Sequence, residues 1–211
     1  MESLDENQLG DKIKLVVPYK ESYIKTPFNV WKFSFIGYLV LGAITGLIML
    51  YAEFIMMPSY SASDADWDSY YNSYRTMATF AQMSLVLGVV AFILSIIFAL
   101  ILLFRNWKVI GSAKDLSAAS AGQAVGFLFI PIFSVYWIFI AHWKLSEGQE
   151  KFISQSGITT SNSPKKGVAL AYCICTLVPY LGQAAAWLVL GPIKEVNQKN
   201  VSLDIIRASN G

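Results

Sequence analysis

Histidine and cysteine are almost missing from this chain of 211 residues: His142 stands alone, and the two cysteines are Cys173 and Cys175. A zinc centre needs three or four such ligands, so none can be assembled. Two positions apart on a helix, the cysteines point about 200° away from each other, which excludes an easy bridge or a shared ion. No glycine-rich loop follows a strand pattern, and the serines around Ala118 and Ser154 have no histidine beside them. Phosphate cradles and Ser-His nucleophiles therefore lack their residues. Asp64-Ala65-Asp66-Trp67-Asp68 has the opening spacing of a calcium loop, yet Ser69 and Arg75 stand where glycine and a bidentate glutamate are required. Charge is scarce as well, at 14% of residues against roughly one quarter in a soluble domain. A net charge of +2 is too small to mark nucleic acid as a partner. The expectation is no enzyme activity, no cofactor and no metal.

What the chain has in abundance is apolar sequence, in runs from Phe33 to Met57, Met77 to Phe104, Val125 to Ala141 and Val168 to Ile193. A hydrocarbon core of roughly 30 Å is crossed by about 20 apolar helical residues, a length that three runs exceed and the third barely reaches. A chain this short cannot wrap four such helices in a polar shell. The runs predict an all-α integral membrane four-helix bundle: an amino-terminal tail 1–32, spans near 33–57, 77–104, 123–142 and 168–193, and a carboxyl-terminal tail 194–211.

Basic residues set the orientation. The first run begins behind a tail carrying Glu2, Asp5, Glu6 and Asp11, which predicts an uncleaved first anchor. Lys20, Lys25 and Lys32 flank it on one side, whereas the next connection holds Arg75 against Asp64, Asp66 and Asp68. The positive-inside rule then places the amino terminus in the cytoplasm. With four crossings, Arg105, Lys108, Lys114, Lys194, Lys199 and Arg207 also lie inside. Lys144, Lys151, Lys165 and Lys166 do not fit, because they fall on an outward connection. A re-entrant third run would move that connection inside and the carboxyl terminus outside, at the cost of irregular backbone at membrane depth.

Several residues inside the runs carry candidate roles. Gly42 and Gly46 form a GxxxG face, and Gly182 and Ala186 repeat the small-xxx-small spacing, so helix packing within the chain or a homo-oligomer is expected there. Pro131 and Pro179 each remove a backbone donor and predict kinks in the third and fourth spans. Paired breaks in corresponding halves point to transport sites, but nothing in the first two runs mirrors these prolines. Glu53 is the ionisable residue within a run, close to Pro58, with His142 and Lys144 as candidate partners. Gln82, Gln123, Thr176 and Gln183 are the polar residues left for a pathway. A helix over Lys144–Ile153 and a flexible linker over Ser154–Lys166 are expected between the last two runs. The alternation of Lys12-Ile13-Lys14-Leu15-Val16-Val17 suits a membrane surface or a partner's sheet edge.

The stretch Ala124-Val-Gly-Phe-Leu-Phe-Ile-Pro-Ile-Phe-Ser-Val-Tyr-Trp-Ile-Phe139, with Arg105-Asn106-Trp107 upstream and Leu177-Val-Pro-Tyr-Leu-Gly182 downstream, resembles a family of uncharacterised bacterial membrane proteins. Some of its members are fused to a GYF-like domain, which this chain does not show, and Ser134 stands where they commonly carry asparagine. The resemblance implies a four-pass fold and a bacterial origin but no reaction. Its aromatic residues read as packing and interface anchors.

Taken together, the residues predict a non-catalytic multi-pass protein of the bacterial cytoplasmic (inner) membrane. Its partners would be the lipid bilayer and a protein partner or a second copy, and its role that of an accessory or interaction subunit. The alternative is a small channel or transporter for an ion or small solute.

Overall fold

The computed structural model describes residues 17–58, 63–111 and 119–210, and these are all-helical, with no strand among them. Two helices, α1 (Ser22–Phe54) and α2 (Asp64–Ile110), are long and apolar enough to cross a membrane. The chain divides into two compact units, one of Asn29–Phe98 and one of the described residues within Met1–Phe28 and Ala99–Gly211.

In the first unit α1 and α2 run antiparallel along a seam of small side chains. A Cβ added at Gly88 would touch Leu41 at 3.6 Å, and one added at Gly37 would lie 3.9 Å from Ala91. One turn beyond Leu41 and Gly88, Thr45 and Ser84 share a hydroxyl hydrogen bond of 2.6 Å, and beside Gly37 the Tyr38 and Phe92 rings meet at 5.0 Å. Small residues let lipid-immersed backbones approach, and hydroxyls bond across the gap. The outward faces carry exposed Val40, Leu47, Phe80 and Val86. α2 starts earlier than the apolar run because Ser63 caps it: the Asp66 amide donates to Ser63 Oγ at 3.3 Å, and the Ser63 amide donates to Asp66 Oδ2 at 3.0 Å. The acidic connection between the first two apolar runs is therefore, from Asp64 on, the first turns of a helix.

The second unit holds the shorter helices α3 (Ala121–Gly126), α4 (Phe133–Ile138), α5 (Leu145–Ser156), α6 (Lys166–Leu177), α7 (Leu181–Ala185) and α8 (Gly191–Asn210). Here the third and fourth apolar runs are broken, not merely kinked, at their prolines. Ile130 and Val178 are extended, as residues before proline must be, with ψ of 112° and 123°. Pro131 and Pro179 follow, and then Ile132 and Tyr180 take φ of 66° and 60°. At the first break the Phe133 amide donates to the Pro131 carbonyl at 2.7 Å, closing a γ-turn.

Each break reverses the chain. In the first hairpin Trp137 Nε1 donates to the Ala124 carbonyl at 3.2 Å, and the Phe127 ring meets Phe133 and Trp137 edge-on. In the second, the Lys165 amide donates to Asn197 Oδ1 at 2.9 Å, and a Cβ at Gly191 would lie 3.7 Å from Tyr172. Gly182 is required by this fold-back, because a Cβ there would overlap Val178 and come within 2.7 Å of the Cys175 carbonyl. The two hairpins share one plan: a helical arm (α3 with a 3-10 turn at Phe127–Phe129, or α6), a proline break, a short helix, a π turn (Phe139–Lys144 or Ala186–Leu190) and a longer helix. The proline breaks do have a counterpart, then, and it lies within the second half itself.

Within this same unit, the bases of the hairpins hold the stretch up to Phe28 and the end of α2 from Ala99 on. Pro27 has no amide proton to give the Tyr23 carbonyl, and Arg105 Nη1 donates there instead at 2.6 Å. Trp107 Nε1 donates to the Ala141 carbonyl, Arg207 pairs with Glu21, Asn210 donates to the Tyr19 carbonyl, and Lys199 covers the Phe28 ring. The segment 194–210, read as a tail, is thus most of a helix with Val201, Leu203, Ile205 and Ile206 buried. The expected flexible linker is fastened as well. Asp204 Oδ2 accepts from the Ser161 hydroxyl and from the amide and side chain of Asn162. The helix expected over Lys144–Ile153 is present as α5, with Leu145 and Phe152 fully buried within the protein. Lys12–Val16 lies outside the described residues.

Candidate functional site

The most unusual chemistry lies between the hairpin bases, where charge is buried in a mainly apolar protein. Lys194 and Glu195 are 3% exposed and His142 is 6% exposed. Lys194 Nζ lies 3.0 Å from Glu195 Oε1, 3.1 Å from His142 Nδ1 and 3.7 Å from the centre of the Tyr172 ring. An ammonium has donors only, so Nδ1 accepts and the histidine proton sits on Nε2. Burial first, and the ammonium second, hold the imidazole pKa well below its usual value, which keeps it neutral. For Lys194 burial acts downward, but charge interactions led by the Glu195 carboxylate outweigh it, leaving the ammonium above its ordinary value.

The π turn at Phe139–Lys144 makes this convergence feasible. A wider turn leaves carbonyls out of the regular α-helical pattern, and side chains from other elements take them. Cys173 donates to the Ile138 carbonyl, Trp107 to Ala141, and both Gln198 and Ser146 to His142. Gln149 Nε2 then donates to the Gln198 carbonyl and to Ser202 Oγ, both at 3.0 Å. Ile138, Tyr172, Cys173 and Ala186 pack as the apolar floor. Because His142 and Gln149 of the first hairpin bond Lys194, Gln198 and Ser202 of α8, the cluster is a lock that holds the two hairpins base to base.

Beside the lock runs an open groove of about 560 Å³, lined by Trp143, Lys144, Glu147, Glu150, Lys151, Lys166, Gly167 and Leu170. Glu147 receives both Lys144 and Lys151, at 2.7 and 2.9 Å, while Glu150 pairs with Lys166 across the two hairpins. Those lysines draw the Glu147 carboxyl down to about 2.

Of the residues singled out in the sequence, His142 belongs to the lock, with Lys194 as its partner, and Lys144 pairs with Glu147. Glu53 is exposed near the end of α1, and Gln183 is exposed beside the second break. Gly42 and Gly46 lie on an open face where an added Cβ meets nothing within 4 Å, whereas Gly182 and the buried Ala186 serve the second hairpin. Gln123 caps α3 together with Ser120, and Thr176 donates to its own helix at Tyr172. Lys194, Glu195, Gln149 and Gln198 escaped the sequence reading. Their signal is a pair of polar stripes at helical spacing, His142, Ser146 and Gln149 on one side and Lys194, Gln198 and Ser202 on the other. No group of three His, Cys, Asp or Glu able to hold a metal occurs among the described residues. No protein-family model matches this chain, and no curated protein or solved structure matches it either.

Proposed function

We propose that the chain is a non-catalytic accessory or interaction subunit of a bacterial cytoplasmic membrane, anchored by two crossing helices and by two hairpins that enter the bilayer to half depth from the cytoplasmic side. The antiparallel return of both apolar runs carries this reading. An arm such as α6, with 12 residues, is about 18 Å long, too short for a core of roughly 30 Å but suited to one leaflet. The tips are apolar and open: Ile132, Tyr180 and Leu181 are 89%, 88% and 86% exposed. Such tips suit lipid, while the charged residues gather at the bases. In this topology the misfit of the lysines disappears, since every basic residue except Arg75 lies on one side, as the positive-inside rule asks. We also propose kinship with the uncharacterised bacterial family that the Ala124–Phe139 stretch resembles.

Cysteine accessibility labelling in intact cells tests the arrangement. A cysteine at Ser63 is expected to label from outside, and cysteines at Thr159 and Ser209 are not. Labelling at Thr159 alone of the latter two would restore four full crossings, and labelling at Ser209 alone would leave one hairpin re-entrant.

A channel or transporter is the second reading, favoured by the equivalent proline breaks, since paired broken helices build many transport sites. The engagement of Gln123 and Thr176 by their own helices supports the accessory reading over it. Purified protein in liposomes is expected to pass no ions above an empty-vesicle background. A saturable flux altered by Pro131→Ala or Pro179→Ala would reverse the choice.

A further inference from the structure

We propose that the groove between the hairpin bases binds the headgroup of one anionic phospholipid, with Lys144, Lys151 and Lys166 on its phosphate, Trp143 at the glycerol level and the acyl chains leaving past Gly167 and Leu170. This rests on the half-depth reading of the hairpins.

Height is the first argument. Lys144 follows Pro131 by 13 residues and Lys166 precedes Pro179 by 13, so both lie about 20 Å from their tips. With tips at the bilayer midplane the hydrocarbon edge falls at roughly 15 Å, which puts both ammonium groups at phosphate level. The second argument is charge. Three lysines and two glutamates line the groove, and one carboxylate, Glu147, serves two lysines. One positive charge is left over, which a headgroup of single negative charge offsets and a zwitterionic one does not. Basic pockets between helices on the cytoplasmic side bind anionic headgroups in this way.

Third, the groove has the amphipathic lining a lipid requires. Trp143 carries an apolar ring under the Lys144 ammonium, 5.1 Å from its centre, and such rings favour the interface. Leu170 continues the apolar wall toward the tip, and a Cβ at Gly167 would meet nothing within 4 Å, which leaves that wall open. Lys166 and Glu150 come from different hairpins, so the groove exists only when both are locked together.

The test compares phosphatidylglycerol with phosphatidylcholine on the full purified chain by native mass spectrometry after delipidation. One phosphatidylglycerol per chain is expected to be retained at least tenfold better than phosphatidylcholine. Lys144→Gln with Lys166→Gln is expected to abolish that preference, while Lys20→Gln with Lys32→Gln, an equal change of charge elsewhere on the same side, leaves it intact. Gly167→Phe fills the groove without touching a charge and is expected to have the same effect as the lysine pair, which covers the case in which the charge variants misfold. Equal loss in both lysine pairs would reduce the site to diffuse attraction, and no preference in the wild type would remove it. Labelling at Thr159 is read in parallel. A protected Thr159 with no lipid preference overturns only the headgroup site, whereas a labelled Thr159 overturns the half-depth topology whatever the lipid result.

Discussion

The two long helices and the hairpin unit are both built on apolar runs, yet one makes two uninterrupted helices and the other folds each run back on itself. In α1 and α2 nothing interrupts the middle of the run, and a seam of glycine, alanine and hydroxyl residues aligns the helices. In the hairpins a proline stands near the centre of each run, and the residues at the two ends of the run have partners in each other's vicinity, as Lys165 has in Asn197. Apolar length is therefore common to both, while the central break and the chemistry of the ends select between one long helix and a returning chain.

The largest effect separating the two regions is expected from the lock. Lys194→Met leaves Glu195 buried without its cation, and breaking a buried pair from one side costs about 3–5 kcal/mol. Thermal unfolding in detergent, followed by exchange of hairpin and crossing-pair amides, should show α5 and α8 losing protection well before the Thr45–Ser84 seam. A uniform loss across both units would mean that the lock serves the whole molecule.

Glycines sharpen the comparison next. Gly182→Ala forces a Cβ against Val178 and the Cys175 carbonyl, an overpacking that typically costs about 1–3 kcal/mol. Gly42→Ala and Gly46→Ala place a methyl in open space on a helix, where alanine is favoured over glycine by about 1 kcal/mol. The melting temperature is expected to fall for the first and to hold or rise for the other two. A fall for Gly42→Ala accompanied by a smaller oligomer in light scattering would show that this face meets a second copy.

A smaller effect tests the break itself, and its sign is the readout. Were Ile132 part of a merely kinked helix, glycine there would destabilise; at φ 66° a β-branched side chain is strained and glycine is not. Ile132→Gly is expected to raise stability by about 1 kcal/mol, measured by thermal melting in detergent, and a fall of that size would favour the kinked helix.

The helical class, the two helices long and apolar enough to cross a membrane and the two proline positions were legible because each follows from apolar run length or from proline's missing amide. The return of the chain was not, because its cause is spread over residues far apart in sequence: Tyr180 held at positive φ, Gly182 beneath Val178, and Asn197 reaching Ser163 and Lys165. In the topology proposed above, the four lysines that fall on an outward connection under four crossings are the visible trace of that return. The lock was half legible. His142 stood out as the lone histidine, but Lys194 sits at the end of an apolar run, where a flanking cation is ordinary, and only the facing stripe of His142, Ser146 and Gln149 makes it a buried partner.

The smallest expected difference is in acid. Arg207, and after it Lys25, hold the Glu21 carboxyl at about 2 against an ordinary 4.5, and Lys144 and Lys151 do the same for Glu147. Both carboxylates have their folded pKa lowered, so their contribution to stability is fully present above about 4.5 and is lost as the pH falls toward about 2. Both lie in the hairpin unit, where Glu21 joins α8 to the start of α1 and Glu147 pairs with Lys144 and Lys151 along the start of α5, whereas the Thr45–Ser84 seam has nothing to protonate. Because these pairs reach solvent, the effect is modest and salt screens it. Hydrogen exchange at pH 5 and pH 3, corrected for intrinsic rates, should show peptides from α8 and α5 exchanging faster at the lower pH while the seam is unchanged. High salt at pH 5 should reproduce part of that loss. Equal behaviour of α8 and the seam at both pH values would mean that these ion pairs do not set the stability of the hairpin unit, and that the buried lock alone holds its base.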